Sequence, residues 1–246
     1  YFIFFPGSRW EVQSNLRPNQ LLSAIILSAS AVLVANGEKP VSNYAKQLIA
    51  ENTLRICVDS NLSFFKELDV EPDVIIGDLD TVEINTTSPN STIVNEENQN
   101  KTDLEKSLDY CLAQKIKNIY IIGATGERDD HNLANIMIAQ QYSDIFNIEI
   151  VTNFFQILFV NGSKEILEKK HRNLSMISLI SDNKITTSGL EYNLSNQKLN
   201  SFSHGISNRI ISDKCLIKSK EKLILFIEIE WQIRLESLAL EYLALL

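Results

Sequence analysis

The sequence predicts an α/β protein: an N-terminal doubly wound, mostly parallel sheet followed by a smaller C-terminal all-β sandwich. From residue 31, short apolar runs alternate with amphipathic stretches of helical period, the grammar of strand–helix units. The strand-like runs are apolar at nearly every position, as strands buried on both faces are. After about residue 154 the helical stretches give way to strand-like runs separated by polar turns, the pattern of an all-β unit. The expected division is 1–154 and 155–246.

The predicted strands of the first unit are AVLVA (31–35), LRICV (54–58), DVIIG (73–77), NIYIIG (118–123) and IEIVT (148–152). Between them VSNYAKQLIAEN, NLSFFKEL, TDLEKSLDYCLAQKI and DDHNLANIMIAQQY read as helices. In the third, Leu104, Leu108, Cys111 and Leu112 are expected on one face, and Thr102 with Glu105 has capping-box spacing. The polar stretch 84–101 reads as a long loop holding one short strand at most. In the second unit FQILFV, MISLI and KLILFIEIE read as strands, and EWQIRLESLALEYLALL reads as a terminal helix.

Composition narrows the function. With 44% apolar residues the chain can bury a large core, and its formal charge of −8 lacks the basic surplus of nucleic-acid modules. Cys57, Cys111 and Cys215 fit neither zinc nor C-x-x-C spacing and read as reduced thiols. The run LLSAIILSASAVLVA (21–35) is shorter than the ~20 residues that span a bilayer and carries three serines. It reads as a buried helix end leading into the first strand. No membrane association is expected, and a cytoplasmic location is.

In an open parallel sheet, ligands bind beyond the carboxyl ends of the strands. Polar residues follow nearly every predicted strand: Asn36 and Gly37, then Asp59, then Asp78 and Asp80, then 123–130. Asp78 and Asp80 are two apart, so an extended backbone points both to one side, roughly 6 to 7 Å apart at Cα. With Asp59 and Asp103 they form a candidate acid cluster with no lysine expected beside it to neutralise it. Such a cluster suits Mg²⁺ carrying a phosphate-bearing substrate. Taken singly, each acid also fits a helix cap or a turn.

Two local similarities are set aside. VIIGDLDTV resembles the first motif of haloacid-dehalogenase-type phosphatases, whose first Asp is a nucleophile, but that motif opens its domain and here two strands precede it. IIGATGERDDHNLA lacks the third glycine of a dinucleotide loop and the Lys-Ser/Thr of a P-loop.

Taken in order, LVANG (33–37), CVDS (57–60), PDVIIGDLDT (72–81), NQNKTDLEKSL (98–108), GATGERDDHNLANI (123–136), TTSGLEYNL (186–194) and SHGISN (203–208) resemble the thiamine pyrophosphokinase family over about residues 31–210. The resemblance implies transfer of the pyrophosphoryl group of ATP to thiamine, giving thiamine diphosphate and AMP, with Mg²⁺ and a homodimer with shared sites. On matching positions it implies that Asp59, Asp78, Asp80 and Asp103 are metal and phosphate carboxylates, and that Asp78, Asp80, Asp103, Arg128 and Asp130 are catalytic. Asn36, Gly37, Gln99 and Thr102 fall to substrate binding, and Ser207 with Asn208 to the thiamine side from the β unit. Either Asp103 or Asp130 would accept the hydroxyl proton.

Departures are Ser60-Asn61, where many relatives have Gly-Gly, and Asn98 at a commonly acidic position. The last sixteen residues match no family feature. A phosphatase using Asp78, or a nucleotide- or thiamine-binding module without turnover, are the competing readings. The three histidines, His131, His171 and His204, have no ligand spacing and read as surface or helix-cap residues.

Overall fold

Strand-to-strand pairing carries this architecture, and strands apolar on both faces bury the parallel sheet between helices. The computed structural model describes residues 30–39, 41–52, 54–59, 62–77, 90–95 and 98–229. Six strands, β1 (Ser30–Val34), β2 (Leu54–Val58), β3 (Val74–Gly77), β4 (Thr92–Asn95), β5 (Asn118–Ile122) and β6 (Asn147–Val151), pair in parallel in the order β6-β5-β1-β2-β3-β4. Four helices intervene: α1 (Asn43–Glu51), α2 (Ser63–Glu67), α3 (Asp103–Ala113) and α4 (Asp129–Tyr142). The order reverses between β1 and β5, and that reversal is the switch point where such sheets open a crevice.

Alternate strand residues point to opposite faces, and the two faces hold separate cores. Ala31, Leu33, Ile56, Val74, Ile76, Ile119, Ile121, Ile148 and Ile150 pack with Leu104, Leu108 and Cys111 of α3 and with Ile138 and Ala139 of α4. Val32, Val34, Cys57, Ile75, Ile122 and Val151 pack with Ala45 and Ile49 of α1 and with Phe64 and Phe65 of α2. The three cysteines are free thiols buried in these layers and in the C-terminal core. Burial pushes the Cys57 thiol up to about 12, so it is a packing residue.

The capping box at α3 is present in both halves: Thr102 Oγ1 accepts from Glu105 N at 3.3 Å, and Thr102 N donates to Glu105 Oε2 at 3.1 Å. Leu112, expected on the buried face, is 45% exposed. It lies one residue past Cys111, and the 100° step between neighbours carries it off the stripe.

The C-terminal part is all β: β7 (Phe155–Leu167), β8 (Asn173–Ile177), β9 (Lys184–Ser188), β10 (Gln197–Lys198), β11 (Asn208–Arg209) and β12 (Lys214–Glu228). The first half of β7 pairs antiparallel with β6, so the large sheet runs on past residue 154. Strand β12 follows β7 along its length, pairing with β8 near its end and with β9 near its start, and its register shifts between Ser219 and Leu223. Of the expected run MISLI only Met176 and Ile177 fall within β8, because the chain leaves the strand at Ser178 and bends at Leu179 and Ile180. The expected terminal helix and residues 21–29 lie outside the described residues. Among the described residues no helix is long and apolar enough to cross a membrane.

One carboxylate sits inside this layering. Glu149, in the middle of β6, accepts from Tyr44 Oη of α1 at 2.9 Å and from Gln156 Nε2 of β7 at 3.0 Å. Burial raises its pKa, and those two hydrogen bonds only partly counter the rise. A carboxyl raised in the folded state binds its proton more tightly there, so its contribution to stability falls as pH climbs from the ordinary 4.5 toward the raised value. Tyr44→Phe is expected to cost about 1–3 kcal/mol at neutral pH. The loss should shrink in acid as Glu149 becomes neutral, which urea denaturation at two pH values will measure.

Candidate active site

The crevice at the switch point is built by two loops that run back to back. After β1, Ala35 N donates to Ile122 O, Gly37 N to Gly123 O and Glu38 N to Thr125 O, each at 2.8 Å, which extends the β1–β5 pairing past the strand ends. That approach requires glycine at two places. A Cβ on Gly37 would strike Gly123 O and lie 2.5 Å from Thr125 O, and Gly123 has φ +69 with Ala35 O 2.6 Å from its own missing Cβ. From α4, Asn132 Oδ1 accepts from Gly126 N at 2.9 Å and Asn135 Nδ2 donates to Ala124 O at 2.7 Å. Two asparagines one helical turn apart therefore tie the second loop to the helix behind it.

The cleft has a volume of about 200 Å³. Of the sequence-predicted residues, it gathers Asn36, Gly37, Asp59, Thr102, Asp103 and Arg128. It also brings in Glu127, His131, Asn132 and Asn135, which sequence reasoning missed as site residues. Asparagines three apart directly after the R-x-DH string were the available signal. Asp130 and Gln99 do not line it, and neither do Ser207 and Asn208. Asp78, Asp80, Ser60 and Asn61 lie outside the described residues.

Asp59 directly follows β2 in a left-handed conformation, φ +57, and accepts from Asn36 Nδ2 at 3.5 Å. Gly77, ending β3, lies between the acids: a Cβ there would be 3.2 Å from Asp59 Cα and 3.8 Å from Asp103 Cγ. Two carboxylates from different elements thus converge where β3 ends. The expectation of an acid cluster without a neighbouring lysine is corrected, because Lys106 Nζ stands 2.9 Å from Asp103 Oδ1. Three-residue spacing on a helix places the two side chains on one face. A second lysine of this region, Lys101, pairs with Asp109, which also accepts from Tyr142 Oη at 2.8 Å.

Arg128 and Asp130 form a forked pair, Nε to Oδ1 at 3.2 Å and Nη2 to Oδ2 at 2.7 Å. The guanidinium, helped by the His131 N–H, holds the Asp130 carboxyl down at about 2. The Asp130 side chain is therefore an orienting anion for Arg128. Asn208 is buried, with its carboxamide accepting from Tyr192 N at 3.1 Å and donating to Tyr192 O at 2.7 Å. Ser207 beside it is exposed, has φ +59, and donates its N–H to Ser175 Oγ at 3.0 Å.

Comparison with known proteins gives one consistent answer. Residues 45–152 match the family described as thiamin pyrophosphokinase, catalytic domain, and residues 163–224 match thiamin pyrophosphokinase, vitamin B1 binding domain. The chain is 28% identical to thiamin pyrophosphokinase 1 of Caenorhabditis elegans, over 92% of this chain and 100% of that protein. It is 29% identical to thiamine pyrophosphokinase of Bacillus subtilis, over 67% of this chain and 81% of that one. In fold it resembles the crystal structures of thiamine pyrophosphokinase from Bacillus subtilis (TM-score 0.70, 24% identity, 82% of this chain and 99% of that one) and thiamin pyrophosphokinase from Candida albicans (TM-score 0.70, 18% identity, 82% and 90%).

Two outcomes follow from the geometry. Gly37→Ala should separate the loops, lowering stability by about 1–3 kcal/mol, the usual cost of forcing atoms into a packed site, as a thermal melt will read. For the Arg128–Asp130 pair, a carboxyl lowered in the folded state is fully ionised above the ordinary 3.8 and loses its interaction as pH falls through about 2. A ¹³C titration of the Asp130 carboxyl should show that midpoint, and Arg128→Ala should return it toward 3.8.

Proposed function

The chain belongs to the thiamin pyrophosphokinase family, and from that premise we propose that its switch-point cleft is where the pyrophosphoryl group of ATP passes to the hydroxyl of thiamine, yielding thiamine diphosphate and AMP. The observation that carries the reading is the convergence of Asp59 and Asp103 beside the paired loops. In this reaction the thiamine oxygen bonds to the β-phosphorus, the bond from that phosphorus to the bridging oxygen of AMP breaks, and the hydroxyl proton leaves. Such a transfer needs positioning and charge neutralisation more than a covalent nucleophile.

Asn36 and Gly37 belong to the first of the paired loops, where a phosphate chain would enter. Thr102 is spent on the α3 cap, so its contribution is to fix where Asp103 begins the helix. Arg128, already oriented by Asp130, would meet the charge on the transferred oxygens. Of the two carboxylates weighed for the hydroxyl proton, Asp130 is a poor acceptor with its pKa near 2 and lies outside the cleft lining, so the role falls to Asp103. Gln99, exposed in the turn before α3, is kept as a substrate contact on the family pattern.

Mg²⁺ fits the donors. Among the described residues no three ligating side chains cluster, but Asp59 and Asp103 offer hard carboxylate oxygens, which suits a small cation held largely by phosphate and water. Asp59 and Asp103, with Asp78 and Asp80, would hold it, and when bound it would neutralise charge on the triphosphate. We further infer a homodimer in which the partner's β region covers the thiamine rings. Ser207 would be presented by a turn that Asn208 braces through Tyr192. Buried free thiols suit a reducing compartment, and a cytoplasmic location is proposed.

Incubation with ATP, Mg²⁺ and thiamine is expected to give AMP and thiamine diphosphate. Inorganic phosphate with a covalent aspartyl-phosphate, or binding without products, would replace this reading by a phosphatase or a binding module. Arg128→Lys keeps the charge but loses the planar fork, and its turnover is expected to fall about 10²-fold or more. An unimpaired variant would make Arg128 merely structural.

A further inference from the structure

Lys106 stands out among the described ion pairs. Its side chain is only 5% exposed, one turn into α3, and its ammonium lies 2.9 Å from Asp103 Oδ1 while Asp103 itself remains 24% exposed at the cleft. Lysine is seldom buried so deeply unless paired. Burying an ion pair is costly, and a surface pair at the same spacing would support the helix as well. Helix stability alone is thus a weak reason for this arrangement.

The geometry decides through which group Lys106 acts. Asp103 lines the main cleft and Lys106 does not. Lys106 instead borders a second cleft of about 290 Å³, together with Ile76 and Val94 of the sheet and Lys101, Asp109 and Tyr110. Lys106 therefore reaches Asp103 without lining the substrate crevice. The Asp103 main chain is held as well: its carbonyl accepts from Ser107 Oγ at 2.7 Å, and the Thr102 cap sets the first turn. With backbone and one carboxylate oxygen fixed, the remaining rotation of the side chain is restricted, and the Asp103 carboxylate stays against Gly77.

We propose that Lys106 is a positioning residue for pyrophosphoryl transfer, its buried ammonium fixing the rotamer of Asp103 and offsetting one negative charge where an anionic triphosphate must enter. This rests on the function proposed above. Asp59 and Asp103 together would repel the triphosphate, and one buried cation beside Asp103 lowers that repulsion without lining the crevice.

Lys106→Met keeps the length of the side chain and removes the charge. It is expected to lower kcat about 10–100-fold, the cost of a small misplacement, while KM for thiamine changes less than about threefold and the melting temperature stays close to wild type. Lys106→Arg should give an intermediate kcat. A folded Lys106→Met enzyme with wild-type kcat, or one whose KM rises while kcat holds, overturns the proposal. Should the Met variant fail to fold, a wild-type kcat in Lys106→Arg overturns it and a reduced one supports it.

A binding cycle gives a readout besides turnover. Affinity for the Mn²⁺ complex of α,β-methylene-ATP should fall on Lys106→Met in the wild-type background and not in the Asp103→Asn background. Equal losses in both would mean that Lys106 does not act through Asp103. Wild-type protein that forms no AMP from ATP and thiamine would sink the enzymatic reading alone, since the Lys106–Asp103 coupling is still read by the analogue.

Discussion

Two stretches of backbone touch beyond the ends of β1 and β5, and the placement of every other cleft residue depends on that contact. The hydrogen bonds from Ala35, Gly37 and Glu38 to the facing loop prolong the sheet where its strand order reverses. The strands on either side of a switch point send their helices to opposite faces, so the space above it is open. The paired loops form one wall of that space. Asp59 and Asp103 stand across from them, and α4 supplies Arg128 at one end and the two asparagines that hold the second loop. Without close contact at Gly37 and Gly123 the wall would move outward and the spacing to the carboxylates would change.

Charge at and near this space is arranged in opposed pairs. Asp103 has Lys106, Asp109 has Lys101 and Asp130 has Arg128. Exposure separates their roles. The Arg128–Asp130 pair is two-thirds exposed at both partners, where solvent weakens the attraction, so the pair orients more than it stabilises. Lys106 is buried, so solvent screens its attraction to Asp103 less. A net charge of −8 would otherwise disfavour a polyanionic substrate, and local cations beside the acids reduce that penalty where it matters.

The C-terminal strands are joined to this arrangement through the sheet itself. Because the first half of β7 pairs with β6 on one side and with β12 on the other, backbone hydrogen bonds connect the α/β part to the all-β part. Lys222 adds a side-chain link, donating to Gln140 O at 2.7 Å and pairing with Asp144 at 2.9 Å at the end of α4, where a cation meets the negative end of the helix. A displacement of the β region would therefore be felt at α4, which carries the tethering asparagines.

Local rules in the chain were sufficient for the elements. Short, nearly all-apolar runs gave β1, β2, β3, β5 and β6 to within a residue, and the Thr102–Glu105 spacing gave the α3 cap, because both depend on neighbours a few positions away. The ordered motifs identified the family and placed six of the cleft residues. Contacts between distant segments were decided only by the tertiary structure. The spacing of Lys106 from Asp103 was visible in the chain, but its burial was not, since that depends on which face of α3 meets the sheet. Asn132 and Asn135 read as polar helix positions until the loop at 123–126 is laid against them. Whether β7 would leave or extend the parallel sheet was equally invisible, since an apolar run declares a strand but not its partner, and pairing is chosen by which edge the folded sheet leaves open.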